Sequence, residues 1–353
     1  MSSPAAAVRA DSRAARKAVA VVILNYNGKA HLENFLGTVV RYSDDATVIV
    51  ADNGSGDDSL TYISQFHPSV RVIPIGSNLG FCGGYNFALR QVDADYYVLL
   101  NNDVEVTDGW LRPLRRLLDD NGNIAAVQPK ILSWHRKDYF EYAGAGGGMI
   151  DTLGYPFCRG RLFRTLERDN GQYNDTVPVF WATGACMAVR SGLFHELGGL
   201  DEDFFAHMEE IDLCWKLKRL GYQVYYCGES TVYHVGGGTL SEGSPRKTYY
   251  NFRNGLDMLI KHQAGAQLVW KLPLRIVLDW VAAARFLLES PKSALAVLRA
   301  HLYMLINSGR VLRKRAALKV GASFRVTEMV PKIIIWQYYI LGKRTWKDLN
   351  SPK

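Results

Sequence analysis

The sequence predicts an α/β fold: a doubly wound, mostly parallel sheet comes first, then a mixed α/β region, then a region of helices. Between residues 18 and 103 a short apolar run, a polar turn and a segment of helical period follow one another repeatedly. The runs are apolar almost without interruption, which is typical of parallel strands buried on both faces. The expected strands are Val19–Leu24, Thr47–Ala51, Val70–Pro74 and Tyr96–Leu100, and the expected crossover helices are 29–40, 57–66 and 80–91.

The pattern becomes irregular after residue 124. From Ile124 to about Thr239, strand-like pieces alternate with helical ones, which predicts a mixed sheet. Beyond Tyr249 the periodicity indicates helices to the end of the sequence. The predicted elements are strands over Val177–Trp181 and Cys186–Arg190, a helix over Glu209–Leu220 ended by Gly221, and later helices that begin near Pro273, Pro291 and Pro331.

Charge divides the sequence into two parts. Residues 243–353 hold 20 Lys and Arg against 5 Asp and Glu, whereas residues 1–242 hold 22 against 29. The net charge of +8 therefore comes from a basic C-terminal region joined to an acidic body. We predict a disordered leader over residues 1–17, an α/β domain over 18–242 and a basic helical region over 243–353. No segment of these helices reaches the ~20 uninterrupted apolar residues that a membrane span needs.

The basic region has two interpretations. Polybasic helices favour an anionic membrane surface, but the same charges are also compatible with a helical cap or a dimer interface, which leaves a homo-oligomer open. A nucleic-acid partner is not predicted, because the region has no recognisable binding motif. The five cysteines form no C-x-x-C pair, which argues against a structural zinc site and favours a reducing, cytoplasmic location.

Polar side chains follow three of the predicted strands, as Asn25-Tyr26-Asn27, Asp52-Asn53-Gly54-Ser55 and Asn101-Asn102-Asp103. The carboxyl ends of parallel strands open onto one crevice, where doubly wound sheets bind ligands. The first turn lacks the G-x-G-x-x-G pattern of dinucleotide sites, and no Walker A loop is present. The carboxylates therefore suggest a divalent cation, Mg²⁺ or Mn²⁺, for a phosphate-bearing ligand. The local pattern is also compatible with Asp52 and Asp103 as turn formers.

Three later features add polar groups. The glycine-rich segment from Asn78 to Asn86 opens the third crossover helix, which by itself indicates only close packing. Glu209, Glu210 and Asp212 lie at a helix N-terminus, where acids are favourable against the helix dipole. Adjacent acids in a crevice also raise one another's pKa, as a general base requires. His234 ends a late strand and is either a structural hydrogen bonder or a ligand.

With these motifs in this order, the sequence resembles the bacterial family 2 glycosyltransferases, which have the GT-A fold. Within that family it is most similar to rhamnosyltransferase-like and galactofuranosyltransferase-like enzymes of cell-surface polysaccharide assembly. The resemblance implies a Rossmann-like, mostly parallel nucleotide-binding sheet with a mixed acceptor half. It covers about Ala18 to Leu259 and rests on Val22–Asn27, Asp52–Ser55, Asn78–Phe81, Asn101–Asp103, Glu209–Leu213, Tyr233-His234 and Tyr249–Leu256.

The resemblance implies an inverting transfer from a nucleotide-diphosphate sugar to a hydroxyl of a glycan or lipid-linked acceptor. Glu210 matches the position of the catalytic base, and Glu209 is the alternative base. Asp103 and His234 match the positions that hold the divalent cation. The positions that match donor-binding residues are Asn25, Asp52, Asn78 and Asn102.

Two positions depart from the family pattern. Asn101 stands where the metal motif often starts with Asp, and Glu210 stands where the base is usually Asp. These departures motivate an alternative function, in which a catalytically silent GT-A module scaffolds a polysaccharide assembly complex. For an active enzyme, docking on the inner face of the cell membrane would give access to a lipid-linked acceptor.

Overall fold

A computed structural model describes residues 17–236, 243–318 and 328–351 of the chain. The predicted leader lies outside these residues except for Lys17. The strands in the described ranges are β1 (Val19–Asn25), β2 (Thr47–Asp52), β3 (Arg71–Pro74), β4 (Tyr96–Asn101), β5 (Val104–Val106), β6 (Ile124–Ser133), β7 (Gly148–Asp151), β8 (Pro156–Cys158), β9 (Arg161–Leu162), β10 (Thr165–Leu166), β11 (Thr176–Val179), β12 (Cys186–Arg190), β13 (Gln223–His234) and β14 (Met329–Val330).

The helices confirm the three predicted crossovers and the predicted helix at Glu209. A single 3-10 turn at Glu202–Phe204 and a π-helical turn at Trp336–Ile340 complete the described helical elements. The α-helices of the same ranges are α1 (Lys29–Tyr42), α2 (Ser59–Phe66), α3 (Gly80–Leu89), α4 (Leu111–Asp120), α5 (Ser191–Glu196), α6 (Glu209–Arg219), α7 (Pro245–His262), α8 (Gly265–Glu289), α9 (Pro291–Ala317) and α10 (Trp346–Asn350).

One central sheet joins the parallel and the mixed halves. Among the described residues its order is β11-β13-β6-β12-β4-β1-β2-β3, and β5 pairs with β13. Strand β1 runs parallel to β2 and β4, and β2 runs parallel to β3, as predicted. Strand β12 then pairs antiparallel with both β4 and β6. The mixed half therefore extends the first sheet, and both halves present their strand ends to the same crevice.

Apolar residues on both faces of β1 explain why its sequence does not alternate. Val22 packs in one hydrophobic cluster with Tyr85 of α3, and Val21 packs in the other with Leu32 of α1. Both faces of the sheet are covered by helices, as doubly wound sheets require. All five cysteines lie in the described ranges, where they are buried and form no disulfide.

The predicted C-terminal helical region is confirmed, with one short strand as an exception. Strand β14 pairs parallel with β7 at the edge of a second sheet, whose order in the described ranges is β10-β9-β8-β7-β14. A strand of two residues shows no periodicity, so the sequence gives no signal for it. Pro273 also lies inside α8 and not near its start, whereas Pro291 begins α9 as predicted. None of the helices in the parts of the chain that the structure describes could cross a membrane.

Candidate active site

The side chain of Asn25, at the end of β1, connects the three polar strand ends. Its Oδ1 accepts a hydrogen bond of 2.9 Å from Asn102, and its Nδ2 donates to Asp52 at 3.4 Å and to the Ser55 hydroxyl at 3.2 Å. The other carboxylate oxygen of Asp52 accepts from the Ser55 amide at 3.1 Å. Gly28 leaves room for this contact, because an added Cβ would lie 2.1 Å from the Asn102 amide nitrogen and would force that side chain to move. The predicted convergence of the strand ends is confirmed.

Asn53 links the turn between β3 and α3 to the strand ends around Asn25. The sequence analysis assigned no role to this residue. Its Nδ2 donates to Asn78 Oδ1 at 3.2 Å and to the Gly80 carbonyl at 3.0 Å, while its Oδ1 accepts from the Leu79 amide. Asn78 is exposed and also accepts from the Gly80 amide at 2.9 Å. The structure therefore brings all four predicted donor-binding positions to one edge of the sheet.

His234, at the end of β13, lies between two buried carboxylates. Its Nε2 is 3.1 Å from Asp103 and its Nδ1 is 3.1 Å from Glu141, a partner that the sequence analysis missed. Burial alone would lower the pKa of His234, but the charges of Asp103 and Glu141 outweigh it and raise that pKa to about 10. Burial would raise the pKa of both carboxyls, and the charge and hydrogen bonds of His234 lower it instead.

The Asp103 and His234 side chains fit a divalent cation that is shared with a ligand. Their facing atoms are 3.1 Å apart, close to the separation of about 3 Å between adjacent ligands of one octahedral ion. Within the described ranges no group of three or more His, Cys, Asp and Glu side chains surrounds one point. An ion here would complete its shell with phosphate oxygens and water, as Mg²⁺ commonly does, and would displace a proton from His234.

Glu209 and Glu210 begin α6, and one carboxylate oxygen of each is buried without a hydrogen-bond partner among the described residues. Burial raises the pKa of Glu210 to about 7, although backbone amides, including that of Gly184, oppose the shift. Burial and then the charge of Glu210 raise the pKa of Glu209 well above its usual value. A native protein rarely leaves buried oxygens unpaired, so these two carboxylates are the features of the site that call for a ligand.

The third acid of the predicted cluster, Asp212, has a different environment. It is fully buried and contacts Lys216 at 3.2 Å, Lys261 at 2.7 Å and His262 at 2.8 Å. Burial would raise its pKa, but these cationic and hydrogen-bonding partners hold it well below the usual range. Asp212 therefore has a structural role, and the acid cluster divides into two carboxyls with raised pKa and one with lowered pKa.

The loop before α6 has an unusual backbone that α7 supports. Phe205, His207 and Met208 have φ values of 64°, 71° and 73°, which are costly for residues with a side chain. Sequence reasoning included Arg253 and Asn254 in a family motif without assigning them a role. Asn254 Nδ2 donates to the carbonyls of Phe204 at 3.1 Å, Ala206 at 3.0 Å and His207 at 2.7 Å, and Arg253 donates to those of Asp203 and Phe204 at 2.8 Å each.

The same loop packs on the start of α3. We call residues 201–208 the base loop, because they lead to Glu209 and Glu210, the two predicted positions of a base. The Phe205 carbonyl accepts from the amides of Phe81 at 2.8 Å and Cys82 at 3.3 Å. Gly80 has a φ of +73°, and a Cβ there would lie 2.6 Å from the Phe205 ring. The close packing indicated by the glycine-rich segment is thus a contact between the base loop and the start of α3, which follows the predicted donor-binding residue Asn78.

Comparison with known proteins gives three findings on sequence. Residues 20–198 match the model of the family described as Glycosyl transferase family 2. The chain is 28% identical over 285 residues to the N-acetylglucosaminyl-diphospho-decaprenol L-rhamnosyltransferase of Mycobacterium tuberculosis. This alignment covers 75% of this chain and 90% of that relative. It is 25% identical over 217 residues to the rhamnosyltransferase WbbL of Escherichia coli K12, and this alignment covers 59% of this chain and 80% of that relative.

A solved structure provides the comparison of folds. The crystal structure of GalNAc-T7 with UDP, GalNAc and Mn²⁺ superposes with a TM-score of 0.55 at 15% identity, over 71% of this chain and 49% of that chain. The predicted GT-A fold is confirmed by this likeness. The family match runs from β1 to Gly198, just after α5, and so includes the crevice built on Asn25, Asp52 and Asn102. This chain belongs to glycosyltransferase family 2.

Proposed function

We propose that this glycosyltransferase moves a sugar from a nucleotide-diphosphate sugar to a hydroxyl of a lipid-linked glycan, with inversion at the anomeric carbon. The observation that carries the proposal is the pair of buried, unpaired carboxylate oxygens on Glu209 and Glu210. A carboxyl whose pKa is raised to about 7 can remove a proton from the acceptor hydroxyl as that oxygen attacks the sugar. Glu210 is the proposed base because the Gly184 amide supports its charged form.

The donor is proposed to bind along the polar strand ends. The Asp52 carboxylate, at the tip of β2, would accept hydrogen bonds from the nucleoside, while the linked amides of Asn25 and Asn102 would face the diphosphate. These side chains are already fixed by one another at 2.9 to 3.4 Å, so little conformational entropy remains to be lost on binding. Asn78 would close the same crevice from the start of α3.

Asp103 and His234 are proposed to hold a divalent cation, Mg²⁺ or Mn²⁺, together with the donor. When bound, such an ion neutralises charge on the leaving diphosphate. Asn101 contributes an amide at 3.3 Å from His234 where a carboxylate is common in the family. Of the proposed ligands only Asp103 is a carboxylate, so we expect the cation to bind weakly before the donor arrives.

The named relatives support the substrate class. The Mycobacterium tuberculosis relative is a rhamnosyltransferase that acts on N-acetylglucosaminyl-diphospho-decaprenol, and the Escherichia coli relative is also a rhamnosyltransferase. We propose L-rhamnose as the transferred sugar and a diphospho-polyprenol-linked sugar as the acceptor for this chain. A silent scaffold is the weaker candidate, because a scaffold has no use for two buried carboxylates of raised pKa.

Nucleotide binding followed by a transfer assay tests the proposal. Calorimetric titration of the pure full-length protein with UDP, dTDP and GDP is expected to give binding of one nucleotide that depends on Mn²⁺. The matching nucleotide-linked L-rhamnose should then add one deoxyhexose to a short-chain N-acetylglucosaminyl-diphospho-polyprenol, read by mass spectrometry, with the anomeric configuration read by NMR. Nucleotide binding without transfer from any sugar nucleotide would favour the scaffold.

Asp103→Asn is expected to remove most of the gain in donor affinity that Mn²⁺ provides. The donor affinity in the presence of Mn²⁺ should fall by at least about tenfold, because a charged ligand and the charged partner of His234 are both lost. Calorimetry with and without Mn²⁺ measures this. Asp108→Asn, at an exposed position five residues along, makes the same chemical change as a matched control and should leave the titration unchanged. Equal Mn²⁺ dependence in the two variants would remove Asp103 from the proposed cation site.

A further inference from the structure

Helix α8 is amphipathic in the reverse sense to an ordinary surface helix. The side chains that it buries at spacings of four are Lys271, Arg275, Asp279 and Ala283. Its opposite face carries exposed apolar side chains, among them Trp280, which is 54% exposed, and Leu288, which is 89% exposed. A helix on the surface of a protein in water normally has the opposite arrangement, so the environment of this outer face needs an explanation.

The buried polar stripe fixes which face of α8 points outward. Asp279 is fully buried and accepts hydrogen bonds from Arg275 Nε at 2.9 Å and from the Tyr155 hydroxyl at 2.9 Å, and His301 of α9 lies 3.3 Å from its other oxygen. The Arg275 guanidinium lies 3.7 Å from the centre of the Tyr155 ring. A buried network of this kind is costly to break, so α8 cannot rotate to hide its apolar face.

Helix α9 continues the apolar surface. Leu305 is 65% exposed and Ile306 is 73% exposed, although both lie in the middle of a 27-residue helix. The exposed leucines recur at spacings of three, four and seven residues, which places them in one row along the helix. The members of this row are Leu295, Leu298, Leu302, Leu305 and Leu312.

A third element widens this surface. The π-helical turn at Trp336–Ile340 exposes Trp336, Tyr339 and Ile340, and Arg285 of α8 lies 5.7 Å from the centre of the Tyr339 ring. We call the exposed apolar side chains of α8, α9 and this turn the outer face. Large exposed apolar surfaces mark sites of contact with a protein or a membrane. Aromatic residues of amphipathic shape, such as Trp and Tyr, are typical of membrane–water boundaries.

The charges beside the outer face are basic. Residues 265–317 contain nine Lys and Arg against two Asp and Glu. Lys292, Arg299 and Arg313 are exposed and lie at multiples of seven residues, so they form a stripe beside the leucine row. A second copy of the chain packed on this row through a two-fold axis would bring like charges together. An anionic lipid surface would instead pair with them.

We propose that the outer face lies in the headgroup region of an anionic bilayer, with α8 and α9 parallel to the membrane plane. This goes beyond the proposed transfer reaction, and it does not depend on it. No helix within the described ranges is suited to cross a membrane, so the contact is with one leaflet. The side chains of Lys292, Arg299 and Arg313 reach anionic headgroups while the leucines enter the acyl boundary.

The same helix that contacts lipid also contacts the base loop. Arg310 of α9 bonds Asp203 at 3.0 Å, and Lys314 bonds Asp201 at 2.5 Å. Asp201 and Asp203 lie just before the strained residues that lead to Glu209. The bilayer contact therefore holds the entrance of the acceptor side at a fixed height above the membrane, where a lipid-linked sugar would be presented.

Co-sedimentation of the full-length protein with vesicles tests the proposal. Wild-type protein should pellet with phosphatidylcholine vesicles that contain about 30% phosphatidylglycerol, much less with pure phosphatidylcholine, and less in high salt. The double variant Leu302→Glu/Leu305→Glu should lower the partition coefficient by at least about tenfold. The control Leu60→Glu/Phe66→Glu also introduces two glutamates at exposed apolar positions, here of α2, and should pellet like wild type.

Circular dichroism and thermal unfolding establish that the double variants are folded, and light scattering gives the oligomeric state. Replacing Lys292, Arg299 and Arg313 together by Gln keeps the apolar row and should remove the preference for anionic vesicles. Equal pelleting of wild type and Leu302→Glu/Leu305→Glu overturns the proposal. The proposal is also overturned if the wild type is a dimer that does not bind vesicles and the Leu302→Glu/Leu305→Glu variant is a monomer. That result assigns the outer face to a second copy of the chain. None of these measurements requires sugar transfer.

Discussion

Glu210→Gln is expected to lower kcat by about 10²- to 10⁴-fold, which is the usual contribution of a general base. The amide keeps the size of the side chain and cannot accept the proton of the acceptor hydroxyl. The carboxylate is needed only as that proton moves, so the affinity for the donor nucleotide should stay unchanged. Steady-state kinetics of transfer, together with calorimetry of the nucleotide, measures both quantities.

Two comparisons make this prediction specific. Glu209→Gln removes the adjacent carboxylate and should have the smaller effect on kcat, since Glu210 is the proposed base. Glu229→Gln, at an exposed surface ion pair with Arg116, is the control for the chemical change itself. A kcat of Glu210→Gln near that of wild type would refute the assignment, and a larger loss in Glu209→Gln would transfer the role of base to Glu209.

The pH dependence gives an independent signature of the same group. The folded protein raises the pKa of Glu210 from 4.5 to about 7, mainly through burial, and the base must be ionised to act. We expect kcat/KM to rise about tenfold per pH unit below pH 7 and to level off above it. The stability contributed by protonated Glu210 is present below pH 4.5 and is lost as the pH rises through about 7. Glu210→Gln should therefore have a higher Tm than wild type at pH 8.

Asn254→Ala is the second substitution with a large expected effect. The two N–H groups of the Asn254 amide are shared among three carbonyls of the base loop, and a buried carbonyl that loses its donor costs about 1–3 kcal/mol. We expect a loss of about 3 kcal/mol in the free energy of unfolding, measured by urea titration. With the loop released, Glu210 loses its position, and kcat should fall by about 10²-fold, a larger loss than that in nucleotide affinity.

Asn254→Asp distinguishes the hydrogen bonds from the packing of the side chain. Asp has nearly the same shape but no N–H groups, so its carboxylate would face three carbonyl oxygens and should destabilise the protein at least as much as Ala does. Asn34→Ala is the matched control, because Asn34 is exposed on α1 and donates only to the Ala30 carbonyl of its own helix. If Asn254→Asp unfolds like wild type, the loop does not depend on these donors.

The sequence was most informative where neighbours in the chain decide the structure. Apolar runs predicted the parallel strands, and polar residues directly after them predicted the crevice of Asn25, Asp52 and Asn102, because strand direction alone brings such ends together. Glu141 gave no such signal, since its contact with His234 joins residues far apart in the chain. The role of Asn254 was hidden for the same reason. Helix α8 was predicted as a helix, but periodicity does not say which of its two faces is buried.

Aromatic residues of the mixed half were equally difficult to interpret from sequence. Trp134, Tyr139, Tyr155 and Trp181 are compatible in sequence with either sugar stacking or core packing. In the structure Trp181 is buried and donates to the Met149 carbonyl at 2.8 Å, and Tyr155 binds Asp279. Trp134 is partly exposed and donates to Glu105 at 2.8 Å. Such partners come from distant elements, so only the folded chain separates the two interpretations.

The ion pairs between α9 and the base loop also set an order of events during synthesis. Lys314 follows Asp201 by 113 residues, and a ribosome adds about 5–20 residues per second. The last strand of the central sheet ends at His234, 80 residues before Lys314, so the sheet can form roughly 4–16 s before the residues that restrain the loop have been made. Until then the nascent chain holds the crevice of Asn25, Asp52 and Asn102 beside a loop that lacks its ion pairs, and the proposed base and the proposed lipid-facing helix are completed together.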